Sequence, residues 1–264
     1  MANHTDRHRI YAIGDIHGCL EKLVQVQSNI KHDLQVRPHA RPVIVYLGDY
    51  VDRGPNSFGV IENLIAESVA LHHTHFIFGN HDELFLSFLK DSLTPVRPNG
   101  PRVDKYHWLD GPIGGAATLR SYGIRGVSRR TTAEIQTDFI AALPTKHIRF
   151  FETLELHVRI GSYLFIHAGV RPNVALKDQT LDDSIWIREP FLSSTIDHGF
   201  IVVHGHTPTD QVDNRGNRIG VDTGACFGGK LSCLVLEDDD QGLLTSEGIV
   251  PSPVSIDIST QTSR

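Results

Sequence analysis

A chain of 264 residues with 40% hydrophobic and 21% charged side chains is ordinary for a globular protein and long enough to bury a substantial core in one domain. Its formal net charge of −6 argues against a nucleic-acid-binding protein held by a broad basic surface. Three cysteines (Cys19, Cys226, Cys233) without CxxC spacing argue against a disulfide framework. No apolar run reaches membrane-spanning length, and the polar start MANHTDRHR lacks a secretory h-region, so a cytoplasmic protein is expected, with no membrane partner.

In chain order, RIYAI (9–13) reads as a strand, and Leu20, Leu23, Val24 and Ile30 space as a helix over 19–30. PVIVYL (42–47) is a continuous apolar run, as a strand buried on both faces requires. Pro55 and Asn56 open a helix through Val60, Ile61, Leu64 and Ile65; HFIF (75–78) is a third strand and 82–90 a third helix. This β-α-β-α-β-α order predicts an α/β fold with a parallel sheet and right-handed crossovers.

Residues 91–130 break the rhythm. SLTPVRPNGPR reads as a surface loop, followed by a helical patch near 115–122, and a helix is expected at 131–142, ended by Pro144. The 91–130 stretch is expected to be a loop and helical insertion walling one side of a cleft. From 154 the runs ELHVRI, YLFI, FIVV, NRIGV, KLSCLVLE and LLTSEGIV predict closely spaced strands in antiparallel pairing. With no linker in view, 1–264 is expected as a single domain, with 1–8 and 251–264 as flexible tails.

Five short motifs follow predicted strands directly: GDIHG (14–18), GDYVDRG (48–54), GNHD (79–82), HAG (167–169) and HGHT (204–207). The C-terminal edge of an open α/β sheet is where loops converge on a ligand. The converging groups are Asp15, His17, Asp49, Asn80, His167 and His206. Carboxylate, imidazole and amide oxygen without thiolate suit manganese first, with iron or zinc as alternatives. One carboxylate can bridge two ions in a two-metal hydrolase. Of the sixteen histidines, most are expected to be solvated, with 147, 157 and 198 on helix or strand surfaces and His204 as a supporting group. Cys19 and Cys226 are expected at the cleft as small apolar fillers.

The motif set resembles the calcineurin-like metallophosphoesterases, and within them the phosphoprotein phosphatase family in its bacterial and phage form, over residues 9 to 237. The resemblance implies a four-layer α/β/β/α sandwich with mixed sheets and two divalent metal ions at the strand ends. It implies that Asp15 and His17 hold one ion, Asp49 bridges, and Asn80, His167 and His206 complete the second site. It also implies His81 as general acid paired with Asp52, and Arg53 and Arg188 as phosphate-gripping arginines. The expected activity is phosphomonoester hydrolysis by a metal-bridging hydroxide, on phosphoserine or phosphothreonine in a phosphoprotein or phosphopeptide, with phosphotyrosine and small phosphoesters as further options. The enzymatic alternative is a bis(5′-nucleosyl)-tetraphosphatase or a related nucleotide pyrophosphohydrolase. The pair Asp52-Arg53 and the Thr207-Pro208 that follows His206 weigh against it. The non-enzymatic alternative is a metal-bound scaffold. Asp82 is expected to hold the loop or start the next helix rather than bind metal.

Overall fold

The structure, a computed structural model, describes residues 5–38, 41–70, 73–90, 107–245 and 247–251. The chain opens with β1 (Arg9–Ile13), α1 (Leu20–Val36), β2 (Pro42–Tyr46), α2 (Ser57–Ala70), β3 (Thr74–Phe76) and α3 (Asn80–Lys90). Then come α4 (Gly115–Ser121), α5 (Thr132–Ala142), α6 (Thr145–Glu152), β4 (His157–Ile160), β5 (Tyr163–Ile166) and α7 (Leu181–Trp186). The last strands are β6 (Ile201–His204), β7 (Asp213–Asn214), β8 (Arg218–Gly220), β9 (Cys233–Glu237), β10 (Asp240–Thr245) and β11 (Gly248–Pro251).

Two mixed sheets form. One runs β11-β10-β9-β1-β2-β3, the other β4-β5-β6-β8-β7. The strands β1, β2 and β3 pair in parallel, as the alternation with helices requires, and β9 joins β1 antiparallel. Alternation along β1 sends Tyr11 and Ile13 to the helix-covered face and Ile10 and Ala12 to the face shared by the two sheets. That is why its sequence is apolar throughout. Between the sheets, Val43, Val45, Tyr163, Phe165, Val203, Ile219 and Leu234 form one buried core. On the far face of the second sheet, Leu164, Ile166 and Val202 pack under Val170, Ile187 and Phe191. The four-layer α/β/β/α arrangement therefore holds, with an outer layer over the second sheet made of loops and one short helix. No helix among the described residues is long and apolar enough to cross a membrane.

The strand-rich half departs from the antiparallel expectation. The pair β4–β5 is antiparallel, but β5–β6 and β6–β8 are parallel. Long excursions over 167–200 and 205–217 return the chain to the same end of the sheet, which a hairpin cannot do. LLTSEGIV is split between β10 and β11, which pair as a hairpin. The α6 helix follows Pro144, which stands at its N-cap and so begins a helix as well as ending one. The α7 helix carries a capping box between Thr180 and Asp183. Residues 5–8, expected within a flexible tail, are packed: Thr5 is buried, and its hydroxyl contacts His8 O at 2.6 Å and Asp238 N at 3.1 Å. The expected tail segments 1–4 and 252–264, and the loop at 91–106, lie outside the described residues.

Candidate active site

The two sheets bring their strand ends to one edge. Leu47 N–H donates to Ile13 O at 2.9 Å, His17 N–H to Asp49 O at 2.8 Å, and Gly205 N–H to His167 O at 2.8 Å. Glycine lets the loops approach this closely: a side chain at Gly205 would collide with the Asp15 carboxylate, and one at Gly79 with that of Asp49. His17, Asp49, Asp52, Arg53 and His206 all have positive φ, between 45° and 72°. Such backbone costs about 1–3 kcal/mol per residue and persists only where the surrounding structure enforces it. Its concentration in the five-motif cluster marks the site independently of the side chains.

Asp15, His17, Asp49, Asn80, His81, His167 and His206 are all buried here. His17 Nδ1 lies 2.8 Å from Val51 O and His167 Nδ1 2.8 Å from Leu47 O. A carbonyl can only accept, so each Nδ1 carries its proton and each Nε2 presents a lone pair. The His167 Nε2 and His206 Nδ1 atoms each lie 2.9 Å from Asn80 Oδ1. His206 Nε2 is buried with no hydrogen-bond partner. Two metal-compatible groupings stand out: His17, Asp49 and His81, and Asp15, Asp49 and His167, with ligand atoms within 4.8 Å of one another in each. Asp49 belongs to both, which is the placement a bridging carboxylate needs. The groupings set Asp15 with His167 and His17 with His81, so the expected pairing of Asp15 with His17 does not appear in either.

Electrostatics favour the same reading. Burial, with Asp222 and Asp49 alongside, pushes the Asp15 carboxyl well above its usual range. Burial likewise pushes Asp222 up to about 6. Burial pushes Asp49 in the same direction, but the imidazoles of His167, His81, His17 and His206 outweigh it and hold the carboxyl low. Burial keeps His167, His17 and His206 below the ordinary imidazole value. Neutral His167 therefore faces the Asn80 amide oxygen lone pair to lone pair, beside the crowded carboxylates of Asp15 and Asp49. A shared divalent cation resolves both conflicts, so the donor set fits two such ions. Which metal it takes depends on supply as well as on ligands.

His81 sits beside this cluster on a separate support. Its Nδ1 lies 2.7 Å from Asp52 Oδ2, and the ring meets His17 edge-on at 4.6 Å. Asp52 is fully buried, and burial pushes its carboxyl up against the hydrogen bonds it receives. Those come from His81, from Thr118 Oγ1 at 2.8 Å and from Trp108 Nε1 at 3.0 Å. Arg53 NH1 donates to His17 Nε2 at 2.6 Å. Arg188 is exposed, and among the described residues no ion pair joins it to Glu189, whose carboxylate takes the Ser193 hydroxyl at 2.5 Å. Asp82 stays off the cluster: its carboxylate accepts the backbone N–H groups of Asp49, Tyr50 and Gly79.

Sequence reasoning missed Trp108 and Thr118, which hold Asp52, and Asp222. For Asp222 the signal was present, since VDTG follows a short apolar run as the other motifs do. Nothing local marks Trp108. His204 is buried, its Nδ1 3.0 Å from Gly205 O, and burial lowers it to about 3, in keeping with a supporting place. His147 corrects the surface expectation: it is fully buried, between Tyr122 Oη and Glu62, each at 2.8 Å. Cys19 and Cys226 are half-buried and free.

Comparison with known proteins agrees with this geometry. The calcineurin-like phosphoesterase family model matches residues 8–233. A bis(5′-nucleosyl)-tetraphosphatase PrpE [asymmetrical] of Anoxybacillus flavithermus is 26% identical over 243 residues, 84% of this chain and 88% of that one. A crystal structure provisionally described as a diadenosine tetraphosphatase superposes with TM-score 0.60 at 20% identity, over 96% of this chain and 99% of that one. The cold-active protein-tyrosine phosphatase of a psychrophile Shewanella species gives 0.58 at 17% identity, over 93% and 80%. With a family match spanning most of its length, and a buried nitrogen-and-oxygen donor set inside the matched residues, the chain belongs to the calcineurin-like phosphoesterases.

Proposed function

We propose that this metal-dependent phosphoester hydrolase cleaves phosphate anhydrides, with bis(5′-nucleosyl)-tetraphosphates as its substrate class. The observation that carries the choice is the end-to-end similarity to curated tetraphosphatases, in which 84% of this chain aligns with 88% of the relative. This reverses the order expected from the motifs, where Thr207-Pro208 and the Asp52-Arg53 pair favoured a protein phosphatase. Four residues are a narrower basis than similarity along the whole chain.

In this reading Asp15, His17, Asp49, Asn80, His167 and His206 hold two divalent ions, which, when bound, supply an acidified water and positive charge against the phosphate oxygens. Arg53 and Arg188 bind those oxygens, and a guanidinium fork suits them better than an ammonium does. His81 delivers a proton from Nε2 to the departing oxygen while Asp52 holds Nδ1 and stabilises the imidazolium. Indole and hydroxyl donors fix Asp52 in turn, so the acid keeps one orientation.

That same pair supports a second reading, a serine/threonine protein phosphatase. An alkoxide leaves poorly without a proton, whereas a nucleotide phosphate leaves more readily, so a well-supported acid matters more for a phosphomonoester. Rates on diadenosine tetraphosphate, a phosphoserine peptide and p-nitrophenyl phosphate, with manganese added, decide. We expect kcat/KM on the dinucleotide to exceed that on the peptide by about tenfold or more, a gap of about 1.4 kcal/mol in transition-state binding. The reverse order establishes the second reading.

A further inference from the structure

Phe227 stands out at the rim of this site. It is 66% exposed, on the loop that leaves β8 through Asp222. A single exposed aromatic is ordinary by itself. What sets Phe227 apart is how it is held and what lies against it. Lys22 Nζ donates to Ala225 O at 2.7 Å and to Gly229 O at 2.6 Å, clamping the loop on both sides of the ring. Gly224 and Gly228 take the left-handed conformation, and Phe227 N–H and Gly229 N–H both donate to Gly224 O, at 2.9 and 3.0 Å. Gly224 N–H is tied in turn to Asp222 Oδ1 at 2.9 Å. The loop is therefore built to present this ring outward.

Against the ring lies the Arg53 guanidinium, 5.2 Å from its centroid. Arg53 also reaches His17 Nε2 at 2.6 Å, and its Nε is buried without a hydrogen-bond partner. One side chain thus spans the metal-ligand cluster and the exposed aromatic. A phosphate gripped by Arg53 has whatever its ester carries next to Phe227. Among the described residues no other aromatic ring packs on Phe227, so its remaining face is open to a planar group.

We propose that Phe227 is the platform on which the substrate's nucleobase stacks, making it a specificity-determining residue. The inference rests on the nucleotide reading of the site. Base-on-aromatic stacking is tolerant of base identity and is worth about one to two orders of magnitude in affinity. The platform therefore favours nucleotides over base-free phosphates without selecting one base.

The test is calorimetric binding of adenosine monophosphate and of inorganic phosphate to manganese-loaded protein, for wild type and for Phe227→Ala, Phe227→Leu and Phe227→Trp. The expected result is a Kd for the nucleotide about tenfold weaker in the Ala and Leu variants and retained in Trp, with the ratio of nucleotide to phosphate Kd shifting by that factor. Equal changes for both probes mean that Phe227 acts only through Arg53, and overturn the platform; so does nucleotide binding indifferent to all three substitutions. Wild-type cleavage of diadenosine tetraphosphate is read separately. Base-dependent binding without cleavage sinks the tetraphosphatase reading and leaves the platform standing. Cleavage with binding blind to Phe227 does the opposite.

Discussion

Asp82 Oδ2 accepts the backbone N–H of Asp49 at 2.9 Å, across 33 positions of chain, so the carboxylate next to His81 shapes the loop that carries Asp49. Its other oxygen takes Tyr50 N–H at 3.1 Å, and Gly79 N–H adds a third bond at 3.0 Å. Asp82→Ala leaves these donors buried without an acceptor. The expected cost is about 3 kcal/mol of stability and a loss of manganese affinity, although Asp82 is in neither candidate metal grouping. Urea midpoints with and without manganese check this. A variant as stable as wild type with unchanged metal affinity shows that Asp82 does not organise the loop.

The proposed mechanism makes His81 and Asp52 one unit, so their losses are expected to overlap. His81→Ala is expected to lower kcat by about 100- to 1,000-fold while leaving metal content intact. Asp52→Asn is expected to fall in the same range, and the double variant no further than the worse single one. Steady-state kinetics alongside metal analysis of each protein checks the pattern. Additive losses break the pairing, and lost metal moves His81 among the ligands.

In the proposed mechanism Trp108 is a positioning residue. Its indole N–H lies 3.0 Å from both Asp52 oxygens, and its ring packs against Phe85, Phe88 and Phe139. Trp108→Phe keeps most of the packing and removes the donor. The expected outcome is a kcat about tenfold lower, matching the roughly 1.5 kcal/mol of one hydrogen bond to a charged group, with KM little changed. The acid limb of the pH–rate profile should also move, a change that lost packing alone does not produce.

Metal removal reports on the buried carboxylates. Asp15, Asp49 and Asp222 sit together with burial opposing all three charges and prevailing at Asp15 and Asp222. Divalent ions bound only by the folded chain stabilise it by about 2.7 kcal/mol at a hundredfold excess over Kd. Adding manganese to chelator-treated protein is expected to raise the thermal midpoint, and Asp49→Asn to abolish that rise. A midpoint indifferent to metal argues that the cluster binds none.

His147 makes stability fall on the acid side. Burial depresses its proton affinity below the ordinary 6.5, against the opposing pull of Glu62. Below that value the unfolded chain takes up a proton that the folded chain refuses. Its contribution is thus whole above about pH 6.5 and drains away as pH falls towards the folded value. Urea midpoints from about pH 8 to about pH 5 should decline less steeply for His147→Gln than for wild type. Identical slopes exclude a buried neutral His147.

Some of this was legible without coordinates. The motif residues follow apolar runs directly, and the physics of strand ends makes that pattern readable: a buried strand must be apolar, and the loop leaving it must turn at once. Hence Asp15, His17, Asp49, Asn80, His167 and His206 are picked out as candidates from local order alone, while His81 and Asp52 take their expected roles from the family resemblance and Asp82 is set apart as a loop holder. By the same rule Asp222 was readable and went unread. The side chains that support Asp52 were not. Trp108 and Thr118 lie 56 and 66 positions from it, and no periodicity links residues that far apart.

Sequence by itself determined the candidate metal-donor set and the parallel order of the first three strands, because both follow from residue type and short-range spacing. Tertiary structure decided the rest. It set the direction of β5, β6 and β8, since a strand's partner depends on where a long excursion brings the chain back. It buried His147, because Tyr122 and Glu62 reach it from other elements. And it laid Arg53 against both His17 and Phe227, a contact between three loops that no one of them encodes.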